Sequence, residues 1–248
     1  MEWKHKASLE WLKNRQQYLT ASDIKTLIPY TNSGRKRKIT ELDYLKVYAK
    51  KLTKLTDKDC WSYGAAARGH LLEPYAIASY NNTADNLPPL YHWDDISISH
   101  SSQGLAYSPD ALDITPKQMK KVLPQVLGEV KSYSAERHLI TAMTPKEKLE
   151  ERWQIATAMA VSSTIKKAYL ILYNPDIAIR FSQLYIIEFT KEDLADEIEI
   201  VLDIETKWLK FCKPEKLKSP TAIKQYTSFV NSATIEQEIE QHQRLNPM

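Results

Sequence analysis

Residues 104–134 read GLAYSPDALDITPKQMKKVLPQVLGEVKSYS, and the two charges near the end of that stretch govern how the rest of the chain is read. Alternation along a strand puts Leu127, Glu129 and Lys131 on one face of VLGEVK and Val126, Gly128 and Val130 on the other. Glu129 and Lys131 therefore point the same way. An isolated buried carboxylate is costly and needs a partner, and Asp110, directly after Pro109 at the start of the preceding strand, is a natural one. Taken alone, Glu-x-Lys is more often a half-exposed salt bridge on an edge strand.

Outward from this stretch the pattern alternates between helical and strand periods. Residues 7–18 carry Leu9, Trp11 and Leu12 on an apolar side, and Thr20 to Asp23 supplies caps for a short helix through Ile28. Thr40 and Asp43 cap a third helix, and Ser62 to Tyr80 predicts a fourth, with Ala67, Leu71, Leu72, Tyr75 and Ala78 buried. Period two then takes over at Ile96 and Ile98, 104–107, 111–114 and 126–131. Thr144-Pro145-Lys146-Glu147 reads as a capping box opening a helix through about Ser162. Two strands follow in KKAYLILYN and IRFSQLYIIEF, and a helix spans 191–211. The order predicts an α/β or α+β core built on one sheet, as a single domain over 1–212 with 213–248 as a helical or extended appendage.

The 248 residues carry 34 Lys and Arg against 31 Asp and Glu, so the net charge of +3 is too small to signal a nucleic-acid binder and any such signal must be local. Cys60 and Cys212 are too few and too far apart for a disulfide framework, a zinc site or an iron–sulfur cluster. The charged N-terminus and the absence of a long apolar run lead us to expect a soluble, cytoplasmic protein with no membrane partner. Five glycines without GxGxxG or GxxxxGK argue against a nucleotide-phosphate loop.

Oxygen-only carboxylate clusters suit Mg²⁺, with Mn²⁺ able to substitute, and such an ion can activate water and neutralise charge developing on a phosphodiester. A neighbouring lysine would orient the water or stabilise transition-state charge. Pro109-Asp110 followed by Glu129-Val130-Lys131 resembles the PD-(D/E)XK nuclease signature. The resemblance extends to the lambda-exonuclease-like, or viral-recombinase (YqaJ-type), nucleases through five segments in order. These are WLKNRQQYLTASDI with Arg15 and Ser22, ARGHLLEPYAIASY with Glu73, SPDAL, GEVK, and ERWQIATAM with Gln154. Ala111 departs from the family's glycine, and Ser132-Tyr133 from its Cys-Pro.

This resemblance implies a restriction-endonuclease-like core, a central mixed sheet flanked by helices, and a Mg²⁺-dependent deoxyribonuclease of phage-type recombination. It would digest one strand of linear duplex DNA from its end, 5′ to 3′. The implied metal set is Glu73, Asp110, Glu129 and the Val130 carbonyl, with Lys131 and Gln154 positioning water. Arg15 and Ser22 would form an anion pocket for the terminal phosphate. Also implied are duplex DNA ends as substrate, a homotrimer, and a single-strand annealing partner.

Arg68 is poorly spaced for an i,i+4 bond to Glu73 and is counted, with Arg35, Lys36, Arg37 and Lys38, among the phosphate-binding residues. His70 reads as a surface histidine outside the ligand set. Trp61, Tyr63 and Trp93 could stack on bases but read as core. Two other functions remain open: a restriction-like or structure-specific endonuclease on the same core, and a non-catalytic DNA-binding module that retains the scaffold.

Overall fold

In the computed structural model, which describes residues 4–30, 37–83, 86–94, 98–99, 104–119 and 121–212, short strands alternate with helices. β1 (Lys4–Lys6), α1 (Leu9–Gln16), β2 (Leu19–Thr20), α2 (Ala21–Leu27), α3 (Glu41–Leu52), β3 (Trp61–Tyr63) and α4 (Gly64–Thr83) make up the first third. β4 (Tyr91–His92), β5 (Ile98–Ser99), β6 (Leu105–Tyr107), β7 (Ala111–Leu112) and β8 (Val126–Lys131) follow. α5 (Ala135–Met143), α6 (Arg152–Val161), β9 (Lys167–Tyr173), β10 (Leu184–Thr190) and α7 (Ala195–Phe211) close the described chain. The chain divides into two units, 1–205 and 206–248, and the proposed appendage at 213–248 lies outside the described residues.

The central sheet has five strands in the order β10-β9-β8-β7-β4. β8 and β9 run parallel and the other neighbours antiparallel, so the sheet is mixed and flanked by helices, as expected. A second sheet has the order β2-β6-β5, and β1 pairs with β3. On one face of the central sheet, Val126, Val130, Tyr169 and Ile171 pack against Ala76, Ile77 and Tyr80 of α4. That cluster fixes α4 across β8, the strand that carries the Glu-x-Lys pair. Gly128 is required where β7 and β8 meet: a Cβ there would lie 2.9 Å from Leu90 Cδ1 and 3.0 Å from Ala111 Cβ.

Local signals explain most boundaries. The Asp23 carboxylate accepts the Thr20 N–H at 2.9 Å at the start of α2, and Asp43 accepts the Thr40 N–H at 2.8 Å at the start of α3. Two expectations fail. The box at Thr144 opens only a 3₁₀ turn, Lys146–Lys148. Thr144 turns its hydroxyl back onto the Ile140 carbonyl at 2.7 Å, ending α5, and Leu149 leaves the helical path in an extended conformation to bury its side chain. On α4, Leu71, Tyr75 and Ala78 are exposed, and the buried stripe is Ala67, Ala76, Ile77 and Tyr80. Its polar residues Arg68, His70, Glu73, Ser79 and Asn81 are scattered around the helix, so periodicity alone could not choose the face. Among the described residues no helix is long and apolar enough to cross a membrane.

Candidate active site

β8 is buried along its length up to Lys131, and its pleat sends Glu129 and Lys131 to one side. Glu129 is only 3% exposed, and Lys131 Nζ donates a short hydrogen bond to its Oε1. Asp110 ends the approach to β7, and its Oδ2 accepts the Val130 N–H at 2.8 Å. This bond ties the Asp to the strand of the Glu and Lys across the β7–β8 register. Burial raises the Asp110 carboxyl well above its ordinary range, and the charges of Glu129 and Glu73 push it further, against the opposing effects of Lys131 and the Val130 N–H. Burial lowers the Lys131 ammonium, but Glu129 and Asp110 outweigh it and hold the amine protonated.

Glu73 enters from α4. His70, one turn earlier, lies 3.0 Å from Glu73 Oε1, and His92 on β4 places Nε2 3.5 Å from Oε2. Burial raises the Glu73 carboxyl, yet the hydrogen bonds and charge of the two histidines win, and its pKa lies below the ordinary value. Neither histidine belongs to the ligand set that the family resemblance implies. His70 carried a usable signal, three residues before Glu73 on one helical face. His92 carried none, because only the fold brings β4 against α4.

Glu73, Asp110, Glu129, Val130, Lys131 and Gln154 line one cleft of about 180 Å³. Among the described residues no three His, Cys, Asp or Glu side chains converge closely enough to hold a metal ion. Each carboxylate is instead engaged by a protein partner: Glu129 by Lys131, Glu73 by His70, and Asp110 by the Val130 N–H. The donor chemistry still fits a hard divalent cation, since the ligands are carboxylate oxygens and the crowding that lifts Asp110 is what a cation would relieve.

The same cleft includes Arg15, Thr20 and Ser22. Arg15 Nη2 donates to Ser22 Oγ at 3.0 Å, and its guanidinium sits 4.4 Å from the Trp11 ring centre, one helical turn earlier. Burial lowers the Arg15 pKa, while Asp23 and Asp110 pull it back up. Lys51 from α3 holds this corner, reaching Asp23 and the Arg15 carbonyl. Arg15 and Ser22 are thus joined to each other and open onto the acidic cluster.

The other predicted cations sit differently. Arg68 pairs with Asp176 at 2.7 Å and donates to Asn174 Oδ1 at 3.2 Å and the Ser132 carbonyl at 3.5 Å. It thereby ties α4 to the ends of β8 and β9. Arg37 donates to the carbonyls of Thr26 and Ile28 at the C-terminal end of α2 and lies 3.3 Å from Asp43. Lys38 is exposed, and Arg35 and Lys36 lie outside the described residues. Trp93 is core, with Nε1 donating to the Ile114 carbonyl at 2.9 Å. Trp61 and Tyr63, read as core, are exposed, because β3 has only β1 beside it.

Residues 10–165 match the sequence family described as the YqaJ-like viral recombinase domain. Among solved structures, an alkaline exonuclease (LHK-Exo) from Laribacter hongkongensis superposes with a TM-score of 0.56 at 18% identity, covering 85% of this chain and 99% of that one. The structure of LHK-Exo in complex with dAMP gives a TM-score of 0.55 at 18% identity, with coverages of 85% and 99%. At that identity the likeness is one of fold. No curated protein sequence matches the chain.

Proposed function

From the premise that a chain matched over residues 10–165 belongs to the YqaJ-like viral recombinase family, we propose a metal-dependent DNA exonuclease that digests one strand of linear duplex from its end, 5′ to 3′, in phage-type recombination. The observation that carries this reading is a single cleft that joins Glu73, Asp110, Glu129 and Lys131 to the Arg15–Ser22 pair. Acids at one end suit a divalent cation, and a half-buried guanidinium at the other suits a phosphate.

Glu73, Asp110, Glu129 and the Val130 carbonyl would hold Mg²⁺, with Mn²⁺ as a substitute. When bound, the ion supplies neutralisation of phosphate charge and a more acidic water. Lys131, held protonated, faces the charge that develops on the phosphodiester oxygens. Gln154 on α6 orients the attacking water. Arg15 and Ser22 seat the terminal 5′-phosphate, so the next phosphodiester lies toward the acids. Arg68 and the run Arg35 to Lys38 serve the duplex backbone, Arg68 and Arg37 by exchanging their protein partners for phosphate. The catalytic module lies within 1–212, and assembly as a trimer with an annealing partner belongs to the same reading.

The deciding assay compares end-labelled linear duplex with covalently closed circular DNA, with Mg²⁺ or with EDTA. Degradation of the linear form alone, dependent on metal, is expected. Nicking of the closed circle would instead establish an endonuclease, and full activity in EDTA would refute the metal chemistry.

A further inference from the structure

A second cavity of about 150 Å³ adjoins the cleft and shares Trp11, His70, Glu73, Ser108 and Asp110 with it. Its character is different. The first cleft carries Arg15 and Lys131, whereas no lysine or arginine lines the second, which adds Asp59 and Asp94. Side-chain hydrogen bonding from Thr56 holds the Asp59 carboxyl below its usual range, so that charge is present at neutral pH. A phosphate would face the carboxyl groups of Asp59, Glu73, Asp94 and Asp110 there, with His70 alone to offset them.

The walls are apolar and aromatic instead, formed by Trp11, Leu12 and Trp61. Trp61 is 41% exposed at the edge of β3. The Trp11 indole N–H and the Ser62 hydroxyl are buried and have no hydrogen-bond partner among the described residues, a cost that a ligand with in-plane polar atoms would relieve. A flat, uncharged ring bearing donors and acceptors on its edge satisfies all three features.

On the nuclease reading above, we infer that this cavity is a nucleobase subsite: it receives the base of the nucleotide whose phosphate lies over Asp110 and Lys131, with Trp61 as a stacking wall. Stacking on an indole accepts every base, because each presents a π-face, so the subsite suits an enzyme that removes nucleotides without regard to sequence.

Calorimetric titration of the full-length protein tests this with thymidine 5′-monophosphate, deoxyribose 5-phosphate and inorganic phosphate. The monophosphate should bind more tightly than its abasic counterpart. Trp61→Ala should weaken the monophosphate by roughly five- to 150-fold, the range for losing one stacked base, and leave inorganic phosphate unchanged. Trp61→Leu, which keeps an apolar wall without a π-face, should behave like Trp61→Ala, while Trp61→Phe should retain most of the affinity. Equal binding of the monophosphate and the abasic sugar phosphate by the wild-type protein overturns the subsite, as does unchanged nucleotide affinity in folded Trp61→Ala and Trp61→Leu. Base-dependent binding by a protein that cuts no DNA would sustain the subsite and sink the nuclease reading.

Discussion

Gly128→Ala probes the link between sheet packing and the acidic cluster. The added methyl would stand 2.9 Å from Leu90 Cδ1, 3.0 Å from Ala111 Cβ and 3.5 Å from Ile171 Cδ1. The last is ordinary contact. Leu90 is buried within the α4–sheet core, and Ala111 Cβ is fixed to the β7 backbone, so β7 itself has to move away from β8. Overpacking a core costs about 1–3 kcal/mol, and the smaller unfolded-state entropy of alanine returns about 0.4–1 kcal/mol, leaving a net loss of about 1–2 kcal/mol. At about 2–4 °C per kcal/mol for a domain of this size, Tm should fall by about 2–8 °C. Asp110 precedes Ala111, so the same displacement strains its 2.8 Å bond to the Val130 N–H, and cleavage should fall by about tenfold or more, since misplacement of ~1 Å can cost a hundredfold. Differential scanning calorimetry and a nuclease rate on linear duplex give the two readouts. An unchanged Tm would refute the packing argument. A lowered Tm with wild-type turnover would refute the idea that β7–β8 spacing sets Asp110.

Asp110→Asn should abolish cleavage yet leave the metal-free Tm unchanged or raised, since it removes one of the crowded carboxylates. Mg²⁺ should raise the Tm of the wild-type protein and leave that of this variant unchanged, and an equal rise in both would remove Asp110 from the ligand set. Lys131→Met leaves Glu129 buried without its cation, so it should lose activity and up to about 3 kcal/mol of stability; wild-type stability and turnover together would discount the pair. Arg15→Ala should reduce digestion of 5′-phosphorylated duplex by about ten- to a hundredfold, from about 1.5–3 kcal/mol of lost charged hydrogen bonding, and should narrow the gap to 5′-hydroxyl duplex. Equal wild-type rates on both ends would end the phosphate-pocket reading. His138 is fully buried, with Nε2 3.0 Å from the Ser182 carbonyl and Nδ1 without a partner among the described residues, and burial lowers its pKa. The unfolded chain therefore takes up the proton first, so stability is full above about pH 6.5 and is lost as pH falls below it. His138→Asn should flatten that slope between pH 7 and 5, and parallel slopes for both proteins would exclude His138 as its source.

Elements defined by their own residues were legible without coordinates. The alternation in VLGEVK, the Thr40 box and the runs in β9 and β10 each encode one local conformation, and the structure has them there. The Thr144 box shows the limit: its local signal was correct in kind, but burial of Leu149 diverted the chain after one turn. A short cap yields about 1 kcal/mol, and burying a leucine side chain can exceed that. The same competition explains α4, where polar residues scattered around the helix left the choice of face to the sheet beneath it.

What the sequence determined by itself was the set of candidate groups: Glu73, Asp110, Glu129 and Lys131 recur in the order of a known nuclease family, and the strand period puts Glu129 and Lys131 on one face. What only the tertiary structure decided was the company those groups keep. His92 reaches Glu73, Asp176 engages Arg68, and two cavities of opposite character share one wall. Such pairings join residues from 19 to 108 positions apart. No local period carries information over that range, because burial and charge there depend on which strands and helices pack side by side.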